Sequence, residues 1–291
     1  MTYELFIGDY TYSSWSLRAW LLFDRFGINV KSHMIPFDKA KVSDQMADII
    51  PARTVPTMRT NDGTVVSDSL AIAEELASRH PDAGIWPSDP AARATARSLA
   101  AEMHSGFTAL RADCPMNLRC AYSNYQPSED VIANLRRIEH IWEHAQGHYG
   151  GDGPWLCGTY SAADAFFAPA AARIAGYGLP VSDTAQSYVS AHLADPSFRR
   201  WRAMGLVAGA DLKRYAKDHA RTDWPGLAPL SATATVHGPS ENEACPYSGK
   251  PVSHFMELDG RTFGFCNAFC RNKTVADPAA WPAFMKIFGP L

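Results

Sequence analysis

The chain has 291 residues, a formal net charge of −3, and a composition that is 46% hydrophobic and 20% charged. That length exceeds one ordinary domain and can bury sizeable cores, while the weak charge gives no reason to expect nucleic acid or an anionic membrane as a partner. No run approaches the roughly 18 unbroken apolar residues of a membrane span, and residues 1–10 lack the charged start and apolar stretch of a secretion signal. A cytoplasmic location is therefore expected, where the six cysteines stay reduced and are available for metal or redox chemistry.

The chain opens with a predicted strand, Tyr3 to Ile7, followed by Tyr10-Thr11-Tyr12-Ser13-Ser14-Trp15-Ser16-Leu17-Arg18 and an apolar helix through Phe23. Serines here can simply cap the helix. The same geometry lets a hydroxyl, aided by the positive helix end, hydrogen-bond a thiolate and lower its pKa.

Further on, Thr54-Val55-Pro56-Thr57-Met58 leads to Asn61-Asp62-Gly63, a turn signal between strands at 57–59 and 64–67. Proline donates nothing to a sheet ladder, so Pro56 belongs at a strand start or bend. If its bond is cis, the backbone groups of Val55 can pair with an extended peptide as an added strand would. Ser67-Asp68-Ser69 then starts a helix whose apolar positions are Leu70, Ile72, Ala73 and Leu76. A hydroxyl and free N–H groups at a helix N-terminus hold a carboxylate, and Asp68 can accept from an ammonium. Together these suit the α-carboxylate and α-amine of a γ-glutamyl residue.

A Pro-rich connector runs from His80-Pro81 to Asp89-Pro90. Helical apolar spacing follows over 92–118 and 129–148, with Met103, His104, Phe107, Arg111 and Asn117 on related faces of the first. Gly158-Thr159-Tyr160-Ser161-Ala162-Ala163-Asp164 precedes an Ala-rich apolar stretch; Ser161 and Asp164 form a reciprocal N-cap pair assigned to folding.

These motifs, in this order over about 210 residues, closely resemble the glutathione transferase superfamily, and the serine stretch looks like the zeta-class Ser-Ser-Cys-Ser pattern with Trp15 where the cysteine would stand. The resemblance implies an α/β thioredoxin-like N-terminal domain (1–80) and an all-α helical domain (88–217). It further implies glutathione as cosubstrate, a homodimer, and Ser14, or Ser13 beside it, as the hydroxyl that stabilises the glutathione thiolate. Val55, Pro56, Asp68 and Ser69 are then the glutathione-binding residues, and Arg18 is structural. Tyr12, Trp15, His104 and Arg111 are the candidates for the wall of a pocket for a small electrophile. The expected activity is that of a glutathione transferase, and the loss of the cysteine at position 15 speaks against cis–trans isomerase chemistry.

Residues 218–243 turn to Pro, Gly, Ser, Ala and Thr with no sustained period and read as a linker. Residues 244–291 stand apart. Cys245-Pro246-Tyr247-Ser248-Gly249-Lys250 looks like a zinc-knuckle turn with Ser248 in place of its second cysteine. A hairpin around Asp259-Gly260 follows, and then Cys266-Asn267-Ala268-Phe269-Cys270, whose cysteines would lie one helical turn apart. So small a unit gains most from a structural metal. The spacing is similar to TRASH-like and YHS-like treble-clef domains, so a small α+β zinc-finger-like domain is expected, with Cys245, Cys266 and Cys270 as ligands and zinc as the metal. His254 is the candidate for the fourth ligand, with water as an alternative, and a trigonal soft ion such as Cu(I) also suits three thiolates. Cys114, Cys120 and Cys157 have no such spacing and read as buried thiols. The tail also raises a different reading, a metal-handling or sensing protein that uses the transferase fold to bind glutathione or a glutathione–metal complex. A third is an interaction module with both sites vestigial.

Overall fold

The computed structural model describes residues 2–289. The chain divides into two compact units, one running through Leu193 and including Ala210–Pro225, the other made of Ala194–Gly209 and Gly226 onward.

In the first unit β1 (Tyr3–Ile7) leads through the serine loop into α1 (Ser14–Arg25), then β2 (Val30–Met34), a single turn α2 (Val42–Gln45), β3 (Thr57–Arg59), β4 (Val65–Val66) and α3 (Ser69–Arg79). The sheet order is β2-β1-β3-β4. Strand β1 runs parallel to β2, with Tyr3 beside Val30, and antiparallel to β3, with Leu5 beside Met58. A crossover helix between parallel strands followed by a hairpin is the thioredoxin-like arrangement. The Asn-Asp-Gly signal produces the hairpin as expected: Gly63 takes φ +86°, a region open to glycine, and the Asp62 carboxylate accepts the Thr64 N–H.

Six elements follow: α4 (Pro90–Ser105), α5 (Thr108–Asp113), β5 (Ala121–Tyr122), α6 (Glu129–Tyr149), α7 (Ala162–Tyr177) and α8 (Asp183–Ala194). Strand β5 pairs with β6 (Arg221–Thr222). Helix α7 is apolar on every side and packs against both α1 and α4, the burial expected of a helix with no polar face. The Ser161–Asp164 capping box is present at its N-terminus. Asp164 is fully buried and accepts from the Leu156 N–H (3.1 Å), the Ser161 N–H (2.8 Å) and hydroxyl (3.1 Å), and the Tyr188 hydroxyl (2.9 Å). No helix among the described residues is long and apolar enough to cross a membrane.

The second unit contains α9 (Pro196–Val207), the antiparallel sheet β7 (Ala232–Thr235), β8 (His254–Leu258) and β9 (Arg261–Phe265), then α10 (Ala268–Ala276) and α11 (Pro282–Phe288). At the β8–β9 turn Asp259 and Gly260 have φ +52° and +70°, the doubly positive geometry that an Asp-Gly pair favours in a two-residue hairpin. Phe263, Phe265, Phe284, Met256 and Leu258 form its buried centre. Helix α9 joins the tail through a two-pronged ion pair in which Arg199 Nε and Nη2 lie 2.8 and 2.6 Å from the Asp277 carboxylate. The fork matches both carboxylate oxygens at once.

Candidate functional site

The serine loop closes on itself before α1 begins. Asp9 O accepts from the Ser13 N–H, and Ser13 is the N-cap of α1, accepting from the Ser16 N–H at 3.4 Å. The Ser13 hydroxyl donates to Ser16 Oγ (2.8 Å), which also accepts from the Gly8 N–H. Ser13 is thus spent inside the loop. Ser14, the first helical residue, keeps its hydroxyl out of that network; its contact is with Arg173 Nη2 at 3.5 Å.

A cavity of about 610 Å³ opens against this helix start, lined by Ser13, Ser14, Trp15, Val55, His104 and Arg111 together with Tyr12, Phe37, Met116, Arg173 and Tyr215, among others. The structure therefore brings the two serines, Val55 and all four pocket candidates to one place. Trp15 forms its wall, with the Arg18 and Arg111 guanidinium groups 4.4 and 4.3 Å from its ring and the His104 ring against its edge. The Tyr12 hydroxyl is already committed, donating to Asp211 and accepting from the Leu212 N–H. A larger cavity of about 720 Å³ lies along Ser78 to Ser88, but it holds none of the candidate residues, and two of its charged groups, Arg97 and Glu74, neutralise each other.

The γ-glutamyl candidates lie at the start of α3. Val55–Pro56 is cis. Asp68 is the N-cap of α3, taking the Leu70 N–H on one oxygen, while its other oxygen is 3.2 Å from His104 Nε2. Ser69 is fully buried and its hydroxyl has no hydrogen-bond partner among the described residues. Such an orphan donor at a helix N-terminus fits an anionic partner. Burial, and then the charges of Arg18 and Arg111, lower the His104 pKa against the raising influence of Asp68, so the ring is neutral near pH 7.

The sequence did not single out Arg173, Phe37, Met116 or Tyr215. Arg173 carried a signal: with Asp164 it is one of two charged residues in α7, and a charge on an all-buried helix calls for a purpose. Its Nε and Nη1 donate to the Cys114 and Pro169 carbonyls. Burial, and then Arg111, bring its pKa down to about 10, leaving it charged at neutral pH. Arg18 is buried, its Nε and Nη1 have no hydrogen-bond partner among the described residues, and its Nη2 makes a 3.5 Å contact to the Met103 carbonyl.

In the second unit the sulfurs of Cys245, Cys266 and Cys270 lie within 4.8 Å of one another. Zinc–sulfur bonds of about 2.3 Å suit such a spread with slight contraction. The knuckle turn is closed by Cys245 N–H to the Lys250 carbonyl and Gly249 N–H to the Cys245 carbonyl, and the Ser248 hydroxyl donates to Cys266 Sγ at 3.2 Å. Burial would raise the Cys245 thiol, but backbone N–H groups of Cys266 and Tyr247 outweigh it and hold the thiol down to about 7, while burial pushes Cys270 up to about 12. His254 does not join the cluster. It sits directly opposite Phe265 in the sheet, so it shares the face of that buried ring, and its Nδ1 meets the Ser253 hydroxyl at 3.0 Å. Ser248, at the missing-cysteine position, touches the cluster instead, as does the Asn267 side-chain amide, which donates to Cys266 Sγ at 3.4 Å. The chemistry of the three thiols fits a soft or borderline metal, which they would hold as thiolates.

Comparisons with known proteins agree with this architecture. Residues 12–79 match the family model described as the glutathione S-transferase N-terminal domain. The chain is 36% identical over 140 residues to a probable maleylacetoacetate isomerase of Caenorhabditis elegans, covering 47% of this chain and 64% of that protein. It is 30% identical over 87 residues to a maleylacetoacetate isomerase of Dictyostelium discoideum, covering 30% and 39%. The chain therefore spans less than two thirds of the length of these curated relatives. Among solved structures it resembles a glutathione transferase homologue of Burkholderia with bound glutathione, at TM-score 0.53 and 23% identity over 69% of this chain and 96% of that one. The fold is that of the glutathione transferases, a thioredoxin-like domain followed by a helical one. A C-terminal sheet with its cysteine cluster is added to it.

Proposed function

We propose that the protein is a glutathione transferase that activates the glutathione thiol at Ser14 for attack on a small electrophile, with Ser13 as the bracing cap of the loop. The observation that supports this is the single cavity lined by Ser14, Val55, Trp15, His104 and Arg111, next to a helix start that offers the Asp68 carboxylate and the unpartnered Ser69 hydroxyl. In this reading Val55 and Pro56 hold the peptide backbone of glutathione, Asp68 takes its α-amine and Ser69 its α-carboxylate. The thiol loses its proton to solvent, Ser14 donates to the sulfur anion, and the thiolate forms the carbon–sulfur bond while the leaving group departs with its electron pair. Tyr12, Trp15, His104 and Arg111 face the electrophile. The enzyme works as a cytoplasmic homodimer, and Cys245, Cys266 and Cys270 hold a zinc ion that stabilises the small C-terminal unit. The test is conjugation by Ser14→Ala and Ser13→Ala. Loss of one donor to a developing anion costs on the order of 10²-fold in kcat, expected for Ser14→Ala, and if both variants keep full conjugation rates the mechanism is wrong.

The names of the two curated relatives favour a second reading, isomerisation through a transient glutathione adduct of an acidic substrate, whose carboxylates Arg111 and Arg173 would suit. Trp15 in place of the pattern's cysteine weighs against it. Side-by-side assay of isomerisation and conjugation separates the two.

A further inference from the structure

We propose that Arg173 is a positioning residue of the thiolate site, aiming the Ser14 proton at the glutathione sulfur and adding a fixed positive charge behind it; this rests on the glutathione reading above. The argument starts from the hydroxyl. A serine has one proton to donate and lone pairs to accept with. Arg173 has only donors, so where its Nη2 faces Ser14 Oγ at 3.5 Å, the oxygen can only be the acceptor. The serine proton is then directed elsewhere, and the cavity that both residues line lies on the remaining side. Ser13 cannot play this part, because its proton goes to Ser16 Oγ at 2.8 Å.

The guanidinium is built in rather than incidental. Arg173 is 5% exposed, its Nε and Nη1 are fixed by the Cys114 and Pro169 carbonyls at 2.8 and 3.0 Å, and no carboxylate pairs with it among the described residues. Neutral carbonyls satisfy its hydrogen-bonding geometry and leave its charge uncompensated. A buried, unpaired charge is costly, and a ligand sulfur anion next to Ser14 would supply the missing partner. Arg111, which lines the same cavity and among the described residues also has no carboxylate partner, adds positive potential. The site is therefore complementary to the thiolate rather than to the thiol.

The test titrates glutathione bound to the full chain, following the ultraviolet absorbance of the thiolate against pH in the wild type, Ser14→Ala, Arg173→Gln and Arg173→Lys. Affinity for S-methylglutathione, which has no ionisable sulfur, is measured in parallel. An opposite charge at about 4–6 Å lowers a pKa by roughly 1–3 units, so the bound thiol should titrate well below the ordinary range. Arg173→Gln should raise it by about one unit without changing S-methylglutathione affinity, and Arg173→Lys should restore most of the shift. Ser14→Ala should keep part of the shift, because the charge remains. The role is overturned if Arg173→Gln titrates like the wild type. It is equally overturned if Ser14→Ala alone returns the bound thiol to the value of free glutathione, an arm that decides the matter even if the Arg173 variants do not fold. Failure of the wild type to bind either form of glutathione would instead sink the proposed function itself, and this inference with it.

Discussion

Replacing Asp164 with alanine removes one acceptor from four buried donors at once: the Leu156 N–H, the Ser161 N–H and hydroxyl, and the Tyr188 hydroxyl. A hydrogen bond to a charged group contributes about 1.5–3 kcal/mol net, so a simple sum would give on the order of 6–12 kcal/mol. That sum overshoots, because the same substitution relieves the burial of the carboxylate, which raises its pKa against the pull of the donors. What remains is chiefly the desolvation of backbone donors left without a partner, about 1–3 kcal/mol each, since the Ser161 and Tyr188 hydroxyl protons can rotate whereas the two N–H groups are fixed. A loss of about 4 kcal/mol follows, at the upper end of single substitutions. At about 2–4 °C per kcal/mol for a unit of this size, the thermal midpoint should fall by about 10 °C. Asp164→Asn keeps one acceptor oxygen, so it should lose about half as much. Scanning calorimetry of the full chain, wild type and both variants, reads the result directly. A drop of less than about 3 °C for Asp164→Ala would refute the reasoning, because it would mean the donors find other partners and the capping box is dispensable.

Three other outcomes follow from the geometry. Asp68→Ala should raise the KM for glutathione by about 10–100-fold with little change in kcat, since one charge-assisted bond is worth about 1.5–3 kcal/mol and in the proposed function Asp68 takes the α-amine; steady-state kinetics with varied glutathione checks this, and a fall in kcat alone contradicts it. His192 is fully buried among Trp155, Tyr160 and Tyr188, and burial, with Arg25 adding to it, brings its pKa down to about 3. The unfolded chain takes up the proton near pH 6.5 and the folded chain does not, so the stability this residue contributes is full above that value and is lost progressively as pH falls towards 3. Thermal midpoints between pH 7 and 5 should decline less steeply in His192→Phe, and parallel slopes would show that other groups dominate. Purified without added metal or chelator, the protein should carry about one zinc per chain, held by three thiolates. Cys266→Ala should abolish it and His254→Ala should not; elemental analysis decides, and metal retained by Cys266→Ala would remove the cluster from consideration.

The parts of the fold legible in the sequence are those that short-range rules control. Both hairpin turns place a glycine, Gly63 or Gly260, at positive φ, the second with Asp259 beside it, and the capping box depends on a fixed spacing of three. Each could be read from a handful of adjacent residues. That Asp68 rather than Ser69 caps α3 follows only from the three-dimensional structure, because either side chain satisfies the local rule. His254 shows a different limit. Its type and position in the chain suit a metal ligand, but β-strand period two puts it on the face of Phe265, and only the strand register reveals which face that is. Arg173 marks the hardest case. Within α7 it reads as an anomaly in an apolar helix, and its significance comes from the Cys114 carbonyl, the Ser14 hydroxyl and Arg111, all distant in sequence. A buried guanidinium can serve structure as readily as chemistry when carboxylates surround it. What separates the two is that Arg173 meets neutral carbonyls and a serine bordering a cavity, so among the described residues its charge has no carboxylate partner, and a thiolate in that cavity would provide one.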